Sequence, residues 1–126
     1  VRILLVEDNE INMEIAEFIL TSKGAEVTTA CNGLEAIDKF EASEPGYFDL
    51  VLMDIMMPVM DGLEAAGRIR VMKRSDAADV PIFAMTANAF SDDAQRSRQA
   101  GMNEHLTKPL DSEALVKMIL KYTHKG

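Results

Sequence analysis

The chain alternates between two hydrophobic periods. Ile3 to Val6 is an unbroken apolar run; beyond it, Ile11, Ile15, Phe18 and Ile19 recur at helical spacing, and Gly24 stands where that helix would stop. Ala25 to Ala30 mixes apolar and polar residues over a strand length, and Leu34, Ile37 and Phe40 mark a second helix. Leu50 to Met53 is a second unbroken run, followed by Leu63, Ala66 and Ile69 at helical spacing. Pro81 precedes a fourth strand, Ile82 to Met85, and Ser91 could cap a fourth helix that closes at Gly101. Glu104 to Thr107 reads as a short fifth strand. Asp111 could cap a C-terminal helix, on which Leu115, Met118, Ile119 and Tyr122 form an apolar stripe.

Strand alternating with helix predicts an α/β fold: a parallel sheet with helices on both faces. Parallel strands buried on both sides read as unbroken apolar runs. The first, third and fourth strands do so; the second and fifth are mixed and belong at the edges. The order 2-1-3-4-5 meets this condition, giving a flavodoxin-like doubly wound (βα)5 fold with a five-stranded sheet. Its switch point lies between strands one and three, and ligands bind there beyond the carboxyl ends of the strands. A length of 126 residues fits one domain over 1–126.

Composition adds exclusions. Hydrophobic residues at 48% and charged residues at 27% are an ordinary globular balance. A net charge of −8 argues against direct nucleic acid binding and against contact with an anionic membrane. Cys31 stands alone, which rules out an intramolecular disulfide; it is expected to be a small hydrophobe at a strand end. No apolar run reaches the length of a membrane span, and no signal peptide opens the chain. The expectation is a cytoplasmic domain excised from a longer parent, which could itself be membrane-anchored.

The chemistry gathers at the strand ends. Asp54 follows Leu50–Met53 directly, a costly place for a carboxylate unless something compensates it. Glu7 and Asp8 follow the first strand, so the predicted order brings three carboxylates into one crevice. Such a cluster either titrates upward or holds a cation, and a hard ion with open positions, Mg²⁺ above all, suits it. The plainer alternative is that Glu7 and Asp8 merely cap the first helix, since "VEDNE" also looks like a helix start. Thr86 ends the fourth strand with a hydroxyl and Lys108 follows the fifth with an ammonium; together they could hold phosphoryl oxygens.

The segments "LLVEDNE", "LVLMDIMMPVMDG", "AMTANAF" and "HLTKPL" resemble the CheY-like receiver (response regulator) domains of two-component signalling. The resemblance covers essentially the whole chain. "ILLVEDNEINMEIA" and "AGMNEHLTKPL" look most like receivers fused to hybrid sensor histidine kinases. It implies that Asp54 accepts a phosphoryl group from a phosphohistidine on a histidine kinase or histidine phosphotransfer domain. Mg²⁺ would be held by Asp8, by Glu7 largely through water, by Asp54 and by the Met56 carbonyl. Thr86 and Lys108 would engage the phosphoryl group, Gly62 would allow the tight loop after the site, and Pro109 would follow a cis bond. The face formed by helix four, strand five and helix five would be the output surface. Such a domain promotes only its own phosphorylation and dephosphorylation.

One departure concerns the switch. The family usually carries Tyr or Phe at the strand-five position that responds to Thr86, and this chain has His105. Either His105 does that work or it is a plain exposed edge-strand residue. Met56 and Asn88 are placed to govern hydrolysis: Met56 can shield the approach of water but cannot orient it, and the Asn88 amide could hold one. Slow self-dephosphorylation is the expectation. A phosphorylation-independent pseudo-receiver is the alternative. A flavin-binding domain of this fold would not place carboxylates after strand one, and a haloacid-dehalogenase phosphatase would need an acid where Met56 stands.

Overall fold

The structure is a computed structural model that describes residues 1–55, 60–73, 76–77, 79–86, 101–107 and 111–123. In chain order the elements are β1 (Arg2–Val6), α1 (Glu10–Ser22), β2 (Glu26–Ala30), α2 (Gly33–Ala42), β3 (Leu50–Asp54), α3 (Gly62–Arg70), β4 (Ile82–Thr86), β5 (Glu104–Thr107) and a C-terminal helix (Ser112–Thr123). The strands form one five-stranded sheet in the order β2-β1-β3-β4-β5, and every pairing is parallel. The expected order and edges therefore hold. The predicted fourth helix, Ser91 to Ala100, lies outside the described residues, while its expected closing residue Gly101 has φ +94 and Gly24 after α1 has φ +89. Positive φ is cheap only without a Cβ.

The unbroken apolar runs are explained by where alternate residues go. Leu4, Val6, Val51, Met53, Ile82 and Ala84 point to one side of the sheet, where α2 and α3 cover them with Ile37, Phe40, Ala65 and Ile69. Ile3, Leu5, Leu50, Leu52, Phe83 and Met85 point to the other, under Ala16 and Leu20 of α1 and Leu115 and Ile119 of the C-terminal helix. Successive side chains face opposite ways, so a strand covered on both faces must be apolar at every position.

Each described helix starts at the carboxyl edge of the sheet under a polar cap. Asn9 accepts from Asn12 N at 3.0 Å, Asn32 from Glu35 N at 2.8 Å, Asp61 from Glu64 N at 2.9 Å and Asp111 from Glu113 N at 3.0 Å. The expected Asp111 cap is present. The cap of α1 is Asn9, so Glu7 and Asp8 are not spent on capping.

Two sequence expectations are overturned. Of the apolar set Ile11, Ile15, Phe18 and Ile19, Ile19 packs against the core, but the other three are not a core face: they are 69%, 52% and 74% exposed, and α1 buries Ala16 and Leu20 instead. Cys31 is not a buried small hydrophobe. It lies one residue past β2, exposed, with its thiol donating to Glu35 Oε2 at 2.9 Å. That bond is the first cause raising its pKa above the ordinary thiol value, which makes the thiolate scarcer.

The sheet's lower edge is tied by side chains. Arg70 Nε donates to Gly101 O at 2.8 Å, Nη1 to Ala77 O at 3.0 Å and Nη2 to Asn103 Oδ1 at 2.8 Å. Asn103 Oδ1 also accepts Ile82 N at 2.8 Å, so one guanidinium joins the end of α3 to the entries of β4 and β5. Tyr122 of the C-terminal helix donates its hydroxyl to Glu104 of β5, and its ring meets Phe83 edge-on at 5.2 Å. The bond to Glu104, then burial, raises the Tyr122 pKa above 10.0. A raised folded-state pKa stabilises fully below the unfolded value and is lost as pH climbs through the folded one. Tyr122→Phe should therefore unfold at lower urea by about 1 kcal/mol at neutral pH, and the gap should close above about pH 10.

Candidate functional site

Three strands bring the predicted residues to one edge. β1 ends at Val6, so Glu7 and Asp8 emerge directly beyond it, beside β3 in the sheet. Asp54 is the last residue of β3 rather than the first beyond it, and it pairs with Met85 of β4. Thr86, the next residue of β4, pairs with Thr107, the last of β5. The polar groups thus cross the carboxyl edge in a row, as the switch-point argument requires.

Each of Glu7, Asp8 and Asp54 offers a carboxylate oxygen, and these oxygens all lie within 4.8 Å of one another. Glu7 and Asp54 are 3% and 4% exposed, while Asp8 is open to solvent. The arrangement is anchored locally: the Glu7 amide donates to Ala30 O at 3.0 Å and Glu7 Oε1 accepts the Asn9 amide at 3.3 Å. Asp54 is held by a strand whose five residues are all buried, so its carboxylate has little freedom to swing away. Thr86 is buried at 2% exposure.

A close approach of backbone shapes the floor of the site. The Gly62 amide donates to Ile55 O at 2.9 Å, and a Cβ at Gly62 would lie 2.2 Å from the carbonyl oxygen of Asp54. Gly33 at the start of α2 packs likewise: its amide reaches Met60 O at 3.2 Å, and a Cβ there would stand 2.5 Å from that oxygen. Ile55 and Met60 are thus each held by the amide of a helix-opening glycine. Sequence reasoning assigned Gly62 to a tight loop and missed Gly33; the Asn32–Gly33 pair was visible, but its contact with a residue twenty-seven positions later was not.

His105 lies on β5 opposite Ala84, half-buried, with Nε2 shielded from solvent and without a hydrogen-bond partner among the described residues. It is not a plainly exposed histidine. Met56, Asn88, Lys108 and Pro109 lie outside the described residues.

The chemistry of the cluster is that of a hard-cation and phosphoryl site. Three oxygen donors, two of them buried, suit an ion that prefers oxygen and keeps open positions. Softer ions would call for imidazole or thiolate, and no His or Cys belongs to the cluster.

Comparison with known proteins agrees with that chemistry. The response regulator receiver domain model matches residues 3–120. Sensor protein GacS of Pseudomonas syringae pv. syringae is 37% identical over 123 residues, covering 97% of this chain and 13% of that protein. Hybrid signal transduction histidine kinase B of Dictyostelium discoideum is 40% identical over 131 residues, covering 96% of this chain and 6% of that protein. The chain therefore spans only a small part of these relatives. Among solved structures, the receiver domain of sensor histidine kinase PA1611 from Pseudomonas aeruginosa PAO1, with magnesium coordinated in its active site cleft, superposes with a TM-score of 0.89 at 37% identity, covering 98% of both chains. The Saccharomyces cerevisiae complex of the histidine phosphotransfer protein Ypd1 with the receiver domain of Ssk1 matches with a TM-score of 0.87 at 34% identity, covering 98% of this chain and 89% of that one.

Proposed function

We propose, for a chain that belongs to the response regulator receiver domain family, that Asp54 is the phosphoacceptor of a two-component phosphorelay. The observation that carries this is the convergence of Glu7, Asp8 and Asp54 within 4.8 Å at the carboxyl edge of the sheet. In the transfer, an Asp54 carboxylate oxygen forms a bond to phosphorus as the phosphorus–nitrogen bond of a phosphohistidine breaks. The imidazole nitrogen leaves with that electron pair and takes a proton from solvent. Phosphoryl transfer asks the protein mainly for position and charge compensation. β3 fixes the position. Thr86 supplies a hydroxyl one residue beyond Asp54's partner in the neighbouring strand, and Lys108, which follows Thr107 in the chain, would supply the ammonium.

Mg²⁺ is the metal this donor set fits: Asp8, Glu7 and Asp54 would hold it, with the Met56 carbonyl as the further donor that the family resemblance implies, and it would neutralise the phosphoryl oxygens. Exposed Asp8 is the more available ligand, whereas Glu7 already accepts the Asn9 amide. Asp8→Ala is therefore expected to weaken Mg²⁺ binding about tenfold or more, and Glu7→Gln to weaken it less. Calorimetric titration with Mg²⁺ measures both, and equal affinities for Asp8→Ala and wild type would remove the metal assignment.

The donor would be a histidine kinase or histidine phosphotransfer domain; the receiver of Ssk1 co-crystallises with such a protein, Ypd1. The signal would leave through the face formed by the fourth helix, β5 and the C-terminal helix, with Thr86 and His105 as its switch. No described helix is long and apolar enough to cross a membrane, and a cytoplasmic domain is the reading we adopt. No acidic residue the chemistry needs is missing, which leaves the phosphorylation-independent alternative without a motive. Mass spectrometry after incubation with acetyl phosphate and Mg²⁺ should detect one added, hydroxylamine-labile phosphoryl group. A chain that gains none is not a phosphoacceptor.

A further inference from the structure

Two routes join Thr86 to Gly101. The covalent one runs through residues 87–100, which lie outside the described residues. The second runs through the acceptor. Thr86 follows Met85, which pairs with Asp54 of β3. Ile55 O, one residue beyond Asp54, accepts the amide of Gly62, the first residue of α3. α3 then runs to the opposite edge of the sheet, about 12 Å along its axis, and ends at Arg70. Arg70 Nε closes the ring on Gly101 O at 2.8 Å. The acceptor strand and the start of β5 thus belong to one ring.

The closure at Arg70 is tight. A Cβ on Gly101 would stand 2.8 Å from Arg70 Cγ, so the stem of Arg70 lies against a backbone whose φ of +94 already disfavours a side chain. The half-buried guanidinium spreads over three neutral acceptors, and one of them, Asn103 Oδ1 at 2.8 Å, also takes the Ile82 amide. Asn103 N donates in turn to Ile82 O at 2.7 Å. A planar fork of donors fixes an orientation that a single ammonium cannot. β5 begins at Glu104, the next residue, and His105 follows.

We propose that Arg70 is a positioning residue of the phosphorylation response: its bonds to Gly101 and Asn103 carry a displacement at Thr86 to the start of β5. This rests on the reading of Asp54 as acceptor and of Thr86 as a group that engages the phosphoryl oxygens. A phosphoryl group that draws the Thr86 hydroxyl moves one end of residues 87–100. A ring fixed at its far end passes that displacement on, because packed structure rearranges rather than stretches. With the far end released, the displacement is absorbed before it reaches β5. A guanidinium that merely fastened the lower edge of the sheet would be indifferent to what Asp54 carries.

Beryllofluoride, a phosphoryl mimic, separates the two roles in amide spectra recorded with Mg²⁺. In wild type it should move the signals of Ile55 and Gly62, beside the acceptor, and of Gly101 and Asn103, at the opposite edge of the sheet. Arg70→Gln shortens the side chain and removes the fork. It should melt lower than wild type, so the spectra are compared at a temperature where both are folded. There the beryllofluoride shifts of Ile55 and Gly62 should match wild type, while those of Gly101 and Asn103 fall about threefold or more. Arg70→Lys keeps the charge but reaches fewer acceptors; it should lie between the two, and it carries the test if Arg70→Gln does not fold. Shifts of wild-type size at Gly101 and Asn103 in the folded variant overturn the proposal. So does an equal loss at all four amides, which assigns Arg70 to stability alone. So does a wild type whose Gly101 and Asn103 stay still while Ile55 and Gly62 move. A wild type in which Ile55 and Gly62 stay still sinks the acceptor reading itself.

Discussion

Asp54→Asn should fold as wild type does and take up no phosphoryl group from acetyl phosphate. The carboxamide has no anionic oxygen to offer phosphorus, so labelling should drop to background rather than by a modest factor. Stability should move the other way. Carboxylate oxygens within 4.8 Å repel by about 3 kcal/mol at an effective dielectric of 20, and solvent around exposed Asp8 reduces this to roughly 1 kcal/mol. Without divalent metal the variant should therefore be no less stable than wild type in urea. Labelling that persists in the folded variant would move the acceptor to another residue, and a large loss of stability would mean that the Asp54 carboxylate holds the fold together rather than serving chemistry.

Gly62→Ala should be the most damaging single methyl in the described chain. Its Cβ would stand 2.2 Å from the Asp54 carbonyl oxygen and 3.0 Å from Ile55 Cα, and both are backbone atoms that no rotamer change can move aside. Relief requires β3 and the start of α3 to separate, breaking the Gly62–Ile55 hydrogen bond. The expected cost is about 3 kcal/mol or more, at the upper end for overpacking. Because the displaced carbonyl belongs to Asp54, acetyl phosphate labelling of the folded fraction should slow as well. Gly67→Ala, in the middle of the same helix with nothing within 4 Å of its Cβ, should instead stabilise by up to about 1 kcal/mol through helix propensity. Urea denaturation of the pair reads opposite signs; a destabilised Gly67→Ala or a neutral Gly62→Ala would refute this account of the loop.

The strands and their order were legible because burial on both faces leaves an unmistakable mark: Leu50 to Met53 cannot alternate if neither face is wet. The acid cluster was legible for a related reason, since Glu7, Asp8 and Asp54 interrupt or end apolar runs where a charge is costly. α1 was misread. Periodicity tells which residues share a helix face but not which face is inward, and the large residues Ile11, Ile15 and Phe18 outweighed the small Ala16 that actually packs on the sheet. Cys31 was misread because one residue beyond a strand end separates buried Ala30 from an exposed thiol, and sequence does not resolve element ends that finely. The clamp of Gly33 on Met60 and the reach of Arg70 to Gly101 were invisible for a third reason: they join segments distant in the chain through backbone atoms, which carry no residue identity.

Among the described residues, the sheet divides the buried side chains under α1 and those under α2 and α3 into two groups on its opposite faces. Ile55 and Met60 are braced by Gly62 and Gly33, the first residues of α3 and α2, while Ile11, Ile15 and Phe18 of α1 are exposed on the other side of the sheet. Heritable changes to Ile11, Ile15, Phe18 or their acidic neighbours consequently reach neither the acceptor nor its brace, and should combine with changes there as independent, additive effects.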